Sequence, residues 1–566
     1  MGLILGIHDG THDAAAALVQ DGQIIVACDE ERFVRKKGAG GWPTHSIQAC
    51  LNIADVQIQD IDNIAFAGFV NPNPMLRVFR SRQKQWRLDD GRFYQSQPSL
   101  RRQVADWLQF RSPFPRLTSN DVPYSSLLHA VLRRQTQQHL GWDKSVGIFD
   151  HHRCHAASCY FQSGFEESLV VILDGVGDGL SATIWTGQGH SLTRIGTMPY
   201  PNSYGLLYSS ITGFLGFRPF RHEGKLTGLS AHGNPENIPI PFPFTGTHPN
   251  RTFTERYPLH SWLRQLSPYD PKDISAWLQQ GLETEAIALI QYYMKTTGLQ
   301  NISLAGGVFA NVRLNQKIAE QCPIKNMFVF PNMGDGGLAV GAALCVSEKQ
   351  EGWTPQRLES AFLGVDLPEA EVQAAIQKYN LKTKPYTPQD VAKLLEQGKL
   401  VGICHGRMEY GPRALGHRSI LANPSDLSIV QRLNTALKRS DFMPFAPIIL
   451  ASSIEECVHW KPIFEHNTQF MTTTMQATPT MQEKCPAVVH IDGSLRPQLV
   501  QESQHPRLWN ILLQFQKMTH IPALINTSLN IHEEPIVATA EEAVRAYLQA
   551  SLDALILGDY IVTPSK

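Results

Sequence analysis

Residues 2–26, GLILGIHDGTHDAAAALVQDGQIIV, decide the fold. Residues 3–7 are apolar and short enough for a strand, Asp9-Gly10-Thr11 turns the chain, and residues 14–19 are apolar again. Asp21-Gly22 then predicts a tight hairpin into Ile24-Ile25-Val26. The plan recurs further on. Residues 169–173 read as a strand, 174–179 (DGVGDG) as a loop, and 181–185 as β structure again. Two strand–Asp-Gly–strand units predict a duplicated α/β domain. Two more Gly-rich units follow: 302–304 leading into AGGVFAN (305–311), and NMGDGG (332–337) leading into an apolar helix over 338–346. Each loop of small residues lets backbone approach a phosphate or an adenosine.

A chain of 566 residues allows two to four domains. Composition shifts over 346–358, where SEKQEG precedes Trp353-Thr354-Pro355, and this predicts a linker. Beyond it, 388–397 reads as a capped amphipathic helix and 400–404 as a buried strand, so a second α/β domain is expected over 360–566, after a first over 1–346. Residues 75–117 are rich in Arg, Gln and aromatics. They read as an inserted helical region with a solvated basic face, with a lid over an acceptor pocket as the alternative.

The bulk numbers exclude several classes. A hydrophobic share of 42%, a charged share of 18% and a net charge of −1 describe a folded chain with no global pull toward nucleic acid or acidic membrane. The first apolar stretch is broken by His8, Asp9, His12 and Asp13, unlike a signal peptide, and no run is long enough for a membrane span. Nine scattered cysteines without a CxxC pair point to a reducing compartment, and the expectation is a cytoplasmic protein.

The sharpest local signal is DHHRCHA, 150–156. In a helix, His151 and His155 lie four residues apart on one face, and His152 points elsewhere. HxxxH alone is as well explained by structural histidines. Asp174 and Asp335, each in a Gly-flanked loop of the same domain, turn the reading toward a divalent metal, with a donor set that suits Fe(II), Mn(II) or Zn(II). A zinc-protease helix is ruled out because HExxH needs Glu where His152 stands.

GIHDGTHDAAAAL, EERF (30–33), HHRCHAA, DGVGDG, HEGKLTGLSAHG, AGGVFAN and NMGDGG occur in order. They are followed by GRMEYGPRALGHRSILANP, FMPFAPIIL, HIDGSLRPQ and NTSLNIHEEPIV. This series resembles the NodU/CmcH O-carbamoyltransferases, of the tobramycin-carbamoyltransferase type, over nearly the whole chain. The resemblance implies a Kae1-like, actin-like ATPase domain fused to a YrdC-like domain. It implies that carbamoyl phosphate and ATP, with Mg(II), give carbamoyl-adenylate in the second domain. The metal-bearing first domain then passes the carbamoyl group to a hydroxyl of a small-molecule natural product. It further implies His12, with Asp13 beside it, as the catalytic base, and Gly306, Gly307, Asn311 and Gly334 at the nucleotide, with Glu223 near the ribose.

The chemistry makes sense of these roles. An acceptor alcohol attacks a carbonyl poorly unless its proton is removed, and a histidine is suited to that near neutral pH. Carbamoyl phosphate needs cations. Arg413 and Arg418 flank a turn shaped by Gly411, Pro412 and Gly416, Lys438 adds a point charge, and Arg496 is a further candidate. Asn526 and Ser528, at a strand end, can bind carbamoyl or phosphate oxygens. Two positions depart from the family pattern: Met443 stands where Arg is common and Glu533 where Gly is common. The competing enzyme readings are a threonylcarbamoyl-type tRNA modifier, which the neutral charge disfavours, and an actin-like small-molecule kinase. The expected partner is a small hydroxylated acceptor, without nucleic acid or membrane, and a homodimer is within the expectation.

Overall fold

The computed structural model describes residues 2–69, 125–255, 259–350, 352–438, 445–531 and 533–563. The 75–117 region and Met443 lie outside them. The chain divides into two units, Met1–Glu30 with Gly38–Leu358, and Glu31–Lys37 with Glu359–Lys566. A contiguous first domain over 1–346 was expected; instead Glu31–Lys37 belongs with the second unit. Two arginines explain why. Arg32 donates from Nη2 to the Gly411 carbonyl at 2.6 Å, and Arg35 donates to the carbonyls of Pro535 and Ile536 at 2.7 and 2.8 Å.

The first unit holds two five-stranded sheets built to one plan. In the first sheet the order is Gln23–Asp29, Ala15–Gln20, Leu3–His8, Asn63–Ala67, Val146–Phe149. In the second it is Ser191–Pro199, Leu180–Gln188, Glu167–Gly177, Asn301–Ala305, Asn326–Val329, mirrored in the same sequence order. In both, the first three strands in sequence form an antiparallel meander and the next two add in parallel. This repeated order is the duplication that the two Asp-Gly units foretold. The Asp21-Gly22 hairpin has both residues at positive φ, 55° and 82°, as a tight turn of matching twist requires. One detail differs from the expectation. The strand Glu167–Gly177 does not stop at Leu173 but runs on through Asp174, with a bulge before it pairs again at Gly177. Bulges re-aim side chains, and here the re-aimed residue is Asp174.

The helices His151–Tyr160 and Leu338–Ser347 pack on each other, and the second also packs on Leu3–His8. Both are buried on nearly all sides; Leu338–Ser347 is apolar or small all round, whereas His151–Tyr160 buries three histidines among its small residues. Two glycines permit the close approach. A Cβ at Gly6 would collide with the Ala339 carbonyl, and one at Gly341 with the Cys154 carbonyl. The first turns of both helices therefore converge, one carrying His151 and the other following the turn Asp335–Gly337.

The second unit is built on an eight-stranded mixed sheet. Its order is Lys382–Pro385, Tyr560–Thr563, Ala554–Leu557, Val401–Cys404, Arg418–Ala422, Ala523–Ser528, Ala446–Leu450, Gln498–Val500. The helix expected over 388–397 is Pro388–Glu396, capped by Thr387, whose hydroxyl accepts from the Asp390 amide at 3.2 Å. Among the described residues no helix is long and apolar enough to cross a membrane.

Candidate functional site

In the first unit His151, His155, Asp174 and Asp335 come together, each offering one ligand atom, all within 4.8 Å of one another. His151 is the first residue of its helix and His155 lies one turn on; both are fully buried. The helix begins at the cluster. Asp150 caps it, its side chain accepting from the Arg153 amide at 2.8 Å. His151 Nε2 stands 3.2 Å from Asp174 Oδ2 and 3.6 Å from Asp335 Oδ1, and His155 Nε2 stands 3.7 Å from Asp335 Oδ1. His152 points away and meets the Leu180 carbonyl at 3.1 Å.

Electrostatics tie the four together. Burial alone would lower the His151 pKa, but Asp335 and Asp174 outweigh it and hold it up at about 10. Burial would likewise raise both carboxyls, yet the histidines hold Asp174 and Asp335 well below the usual carboxylate range. His155 is 0% exposed and neither ring nitrogen has a hydrogen-bond partner. A buried imidazole of this kind wants a partner. Donor atoms on one ion at about 2.0–2.2 Å lie roughly 3–4 Å apart, close to the spacing found. The residues fit a divalent ion.

His12 stands at the rim. It occupies the loop between Leu3–His8 and Ala15–Gln20, and its side chain is about one-third exposed, at 36%. Its Nδ1 is 3.0 Å from Asp13 Oδ2, and its Nε2 is 3.7 Å from Asp335 Oδ2. Asp13 sits at φ 52°, a left-handed conformation that turns it back toward His12. Burial would lower the His12 pKa, but Asp335 and the hydrogen bond that its ring donates to Asp13 raise it to about 9. An orienting carboxylate on one ring nitrogen and a free edge on the other is the geometry of a general base.

In the second unit the turn 411–418 is organised from within. Glu409, 1% exposed, accepts through Oε1 from the amides of Leu415, His417 and Arg418 at 2.8, 2.8 and 3.1 Å. Asn526 donates to the Ala414 carbonyl at 3.1 Å and to Gln498 Oε1 at 2.8 Å, and Gln498 donates to the Leu415 carbonyl at 2.7 Å. The Asn526 Oδ1 is buried without a hydrogen-bond partner. Arg413 has no ion pair among the described residues, and burial pushes its guanidinium down to about 10. Arg418 was expected to face phosphate with Arg413, but it is 0% exposed and donates to the carbonyls of His405 and His417 at 2.6 and 3.1 Å. The whole strand Arg418–Ala422 is buried, and these hydrogen bonds let Arg418 brace the turn. Ser528 pairs with Asn530, Arg496 is half-buried, and Lys438 is exposed at the end of the helix Ser428–Ala436.

The family profile for the carbamoyltransferase N-terminus matches residues 3–242 and 247–344, and that for the carbamoyltransferase C-terminus matches 392–564. The chain belongs to the carbamoyltransferase family. Among its relatives, nodulation protein NolNO of Sinorhizobium fredii is 31% identical over 97% of this chain and 79% of the relative. Nodulation protein NolO of Bradyrhizobium diazoefficiens is 33% identical over 73% of this chain and 78% of the relative. Of solved structures, T. kodakarensis HypF aligns at TM-score 0.38 and 13% identity, over 62% of this chain and 48% of that one, too distant to add to the sequence match. The activity of this carbamoyltransferase is carbamoyl transfer to oxygen.

The residues expected at a nucleotide are placed as follows. Gly306 is at φ 100° with its Cβ position blocked by the Leu173 carbonyl. The Gly307 amide donates to Asp174 Oδ1 at 3.1 Å. Asn311 caps the helix Val312–Gln321, accepting from the Leu314 amide at 3.0 Å, and its amide group exchanges hydrogen bonds with Gln279. Glu223 Oε1 accepts from Ser209 Oγ at 2.7 Å and from the Phe220 amide at 2.5 Å. The space beside Gly334 is open. Of these, Gly307 touches the His151–His155–Asp174–Asp335 cluster, Asn311 caps a helix, and Glu223 shapes its own loop with one oxygen.

Three residues of the carbamoyltransferase site escaped the sequence reading. Asp178 Oδ2 accepts from the His151 amide at 2.9 Å and so fixes the start of that helix. Glu409 fills the turn of the second unit. His8 lies 3.8 Å from Asp335 through its Nε2. All three stand inside the motifs quoted above, but no spacing or pattern gave any of them a role.

Proposed function

We propose that this carbamoyltransferase takes its carbamoyl group from carbamoyl phosphate, activates it with ATP as carbamoyl-adenylate, and delivers it to a hydroxyl of a small-molecule natural product. The observation that carries this reading is the His12–Asp13 pair set beside the four-residue metal-binding cluster. The repeated five-strand order supports a Kae1-like, actin-like first unit, and we read the mixed sheet of the second as YrdC-like.

In the second unit, Arg413 supplies an uncompensated cation for the dianionic phosphate, and the free Asn526 Oδ1 accepts from the carbamoyl amide. Arg418 and Glu409 hold the turn that presents them. Phosphate leaves carbamoyl phosphate by hydrolysis. The carbamate oxygen then takes the adenylyl group of ATP, and pyrophosphate leaves. In the first unit, His12 Nε2 takes the proton of the acceptor hydroxyl as its oxygen bonds to the carbamoyl carbon. The bond from that carbon to the adenylate oxygen breaks, and AMP leaves. Asp13 keeps Nδ1–H in place and stabilises the imidazolium that forms. His151, His155, Asp174 and Asp335 would hold a divalent ion, Fe(II) by preference. Such an ion supplies Lewis acidity toward carbonyl or phosphoryl oxygen. His12, whose pKa is raised chiefly by the Asp335 charge, would return toward a basic, neutral imidazole once that charge is offset.

The test is product analysis. Protein supplied with ATP, carbamoyl phosphate and a panel of hydroxylated metabolites is followed by phosphorus NMR and mass spectrometry. AMP, pyrophosphate, phosphate and a carbamoylated acceptor are expected. ADP with a phosphorylated acceptor would replace this reading by a kinase.

A further inference from the structure

His8 closes the strand Leu3–His8 and is 1% exposed, and neither of its ring nitrogens has a hydrogen-bond partner. A buried polar group left unsatisfied costs about 1–3 kcal/mol, so a partner is expected in the working state. The acidic oxygen within ion-pair reach is Asp335 Oδ2, 3.8 Å from His8 Nε2. That oxygen is the one not facing the other two imidazoles, since His151 and His155 both face Oδ1, at 3.6 and 3.7 Å. The ring cannot swing away toward the turn. The Cβ position of Gly10 falls on His8 Nε2 and Cε1, so the backbone itself backs the ring.

We propose that His8 is a positioning residue of the metal-binding cluster. Its Nε2–H serves Asp335 Oδ2, so that the carboxylate offers Oδ1 to the ion and is held against rotation. The outer partner of a ligating carboxylate acts in this way. A second consequence concerns His12, whose Nε2 faces the same Oδ2 at 3.7 Å. With His8 occupying that oxygen, the edge of His12 is left for the acceptor. The inference rests on the metal reading given above and adds a residue to it.

The experiment is a Mn(II) titration of chelator-treated full-length protein, followed by the EPR signal of free Mn(II). The proteins are wild type, His155→Ala, His8→Gln and His8→Leu, with melting temperatures of the metal-free forms measured alongside. Gln keeps a donor near the position of Nε2, and Leu has none. Wild type is expected to bind tightly and His155→Ala to lose the site. His8→Leu should bind about 10–100-fold more weakly while His8→Gln stays near wild type. If Leu prevents folding, His8→Met, unbranched and adaptable, takes its place. Equal affinity in wild type and the donor-free variant would overturn the role of His8 and leave the metal reading intact. Equal affinity in wild type and His155→Ala would overturn the metal reading itself.

Discussion

The Gly307 amide donates to Asp174 Oδ1 at 3.1 Å, while the other oxygen of that carboxylate stands 3.2 Å from His151 Nε2. A Gly-rich loop of the kind usually read as a phosphate cradle here orients a carboxylate of the four-residue cluster. Asp174→Asn keeps the shape but removes the charge and must turn its amide nitrogen toward one of two donors. We expect this variant to retain its fold and to lose bound metal to below about a tenth of wild type, in line with loss of an anionic ligand. Elemental analysis of the purified protein, with circular dichroism as the fold control, decides it; full metal content would remove Asp174 from the ligand set.

Metal binding should depend on pH with a definite sign. In the metal-free fold His151 is held up at about 10, against an ordinary value of 6.5, because Asp335 and Asp174 outweigh burial. A raised folded pKa gives stability that is fully present below 6.5 and lost as pH climbs through about 10. Chelator-treated protein should therefore lose the contribution of this group between those values. An incoming ion displaces the His151 proton, so Mn(II) affinity should rise over the same window. Calorimetric titration in buffers of different ionisation heat would show proton release on binding; affinity that falls with rising pH would contradict the pairing.

His12 and Asp13 should separate the two half-reactions. His12→Ala is expected to slow carbamoyl transfer about a hundredfold or more while AMP and pyrophosphate still form. Asp13→Asn should have a smaller effect in the same direction, since the ring keeps its place but loses its charged orienter. Rapid-quench measurement of pyrophosphate release and of acceptor carbamoylation in parallel makes the distinction. An equal loss in both would make His12 structural.

Two arginines of one turn should fail differently. Arg413, with no ion pair among the described residues, is expected to give a folded Ala variant that no longer releases pyrophosphate in response to carbamoyl phosphate. Arg418→Ala leaves buried carbonyls without their donor and should destabilise the protein by about 3 kcal/mol or more. Denaturant melts and pyrophosphate assays on both variants test this. A stable, inactive Arg418→Ala would restore Arg418 to the substrate.

Glu533 stands where the family commonly has glycine, and its φ is 68°. A non-glycine residue in that region costs roughly 1–2 kcal/mol, partly offset by the greater unfolded-state freedom of glycine. Glu533→Gly should stabilise the protein by up to about 1 kcal/mol, visible as a higher melting temperature.

Much of this was legible in the sequence. Short apolar runs and Asp-Gly turns pointed to the strands of the first unit, and the spacing of His151 and His155 needed only a helix to put both rings beside Asp174 and Asp335. What was not legible follows from side-chain direction and from the bulge. Nothing in DGVGDG says that the strand continues and turns Asp174 inward, and nothing in GHRS says that Arg418 is buried with the rest of its strand. Asn311 shows why such a loop reads two ways: a residue at a strand–helix junction is suited to a ligand and equally suited to capping, and here its Oδ1 accepts from the Leu314 amide. His8 was passed over because a histidine at the end of an apolar strand carries no pattern; its meaning comes from Asp335, more than three hundred residues away in sequence.

The seven residues Glu31–Lys37 fold with the second unit although they are encoded within the first. The linker near 358 looks like a natural cutting point, and a gene divided there would yield two polypeptides of sensible length. Yet the downstream piece would be missing the peptide that caps the Gly411 carbonyl and grips Pro535 and Ile536. The upstream piece would display two orphaned arginines. Halves made separately should therefore recover their native form only when mixed, by fragment complementation, or when EERFVRK is grafted onto the downstream piece. Inheritance follows the same logic. A lineage that tried to shuffle these halves among other genes would have to carry a short, distant insertion along with them, which ties the two to a common reading frame.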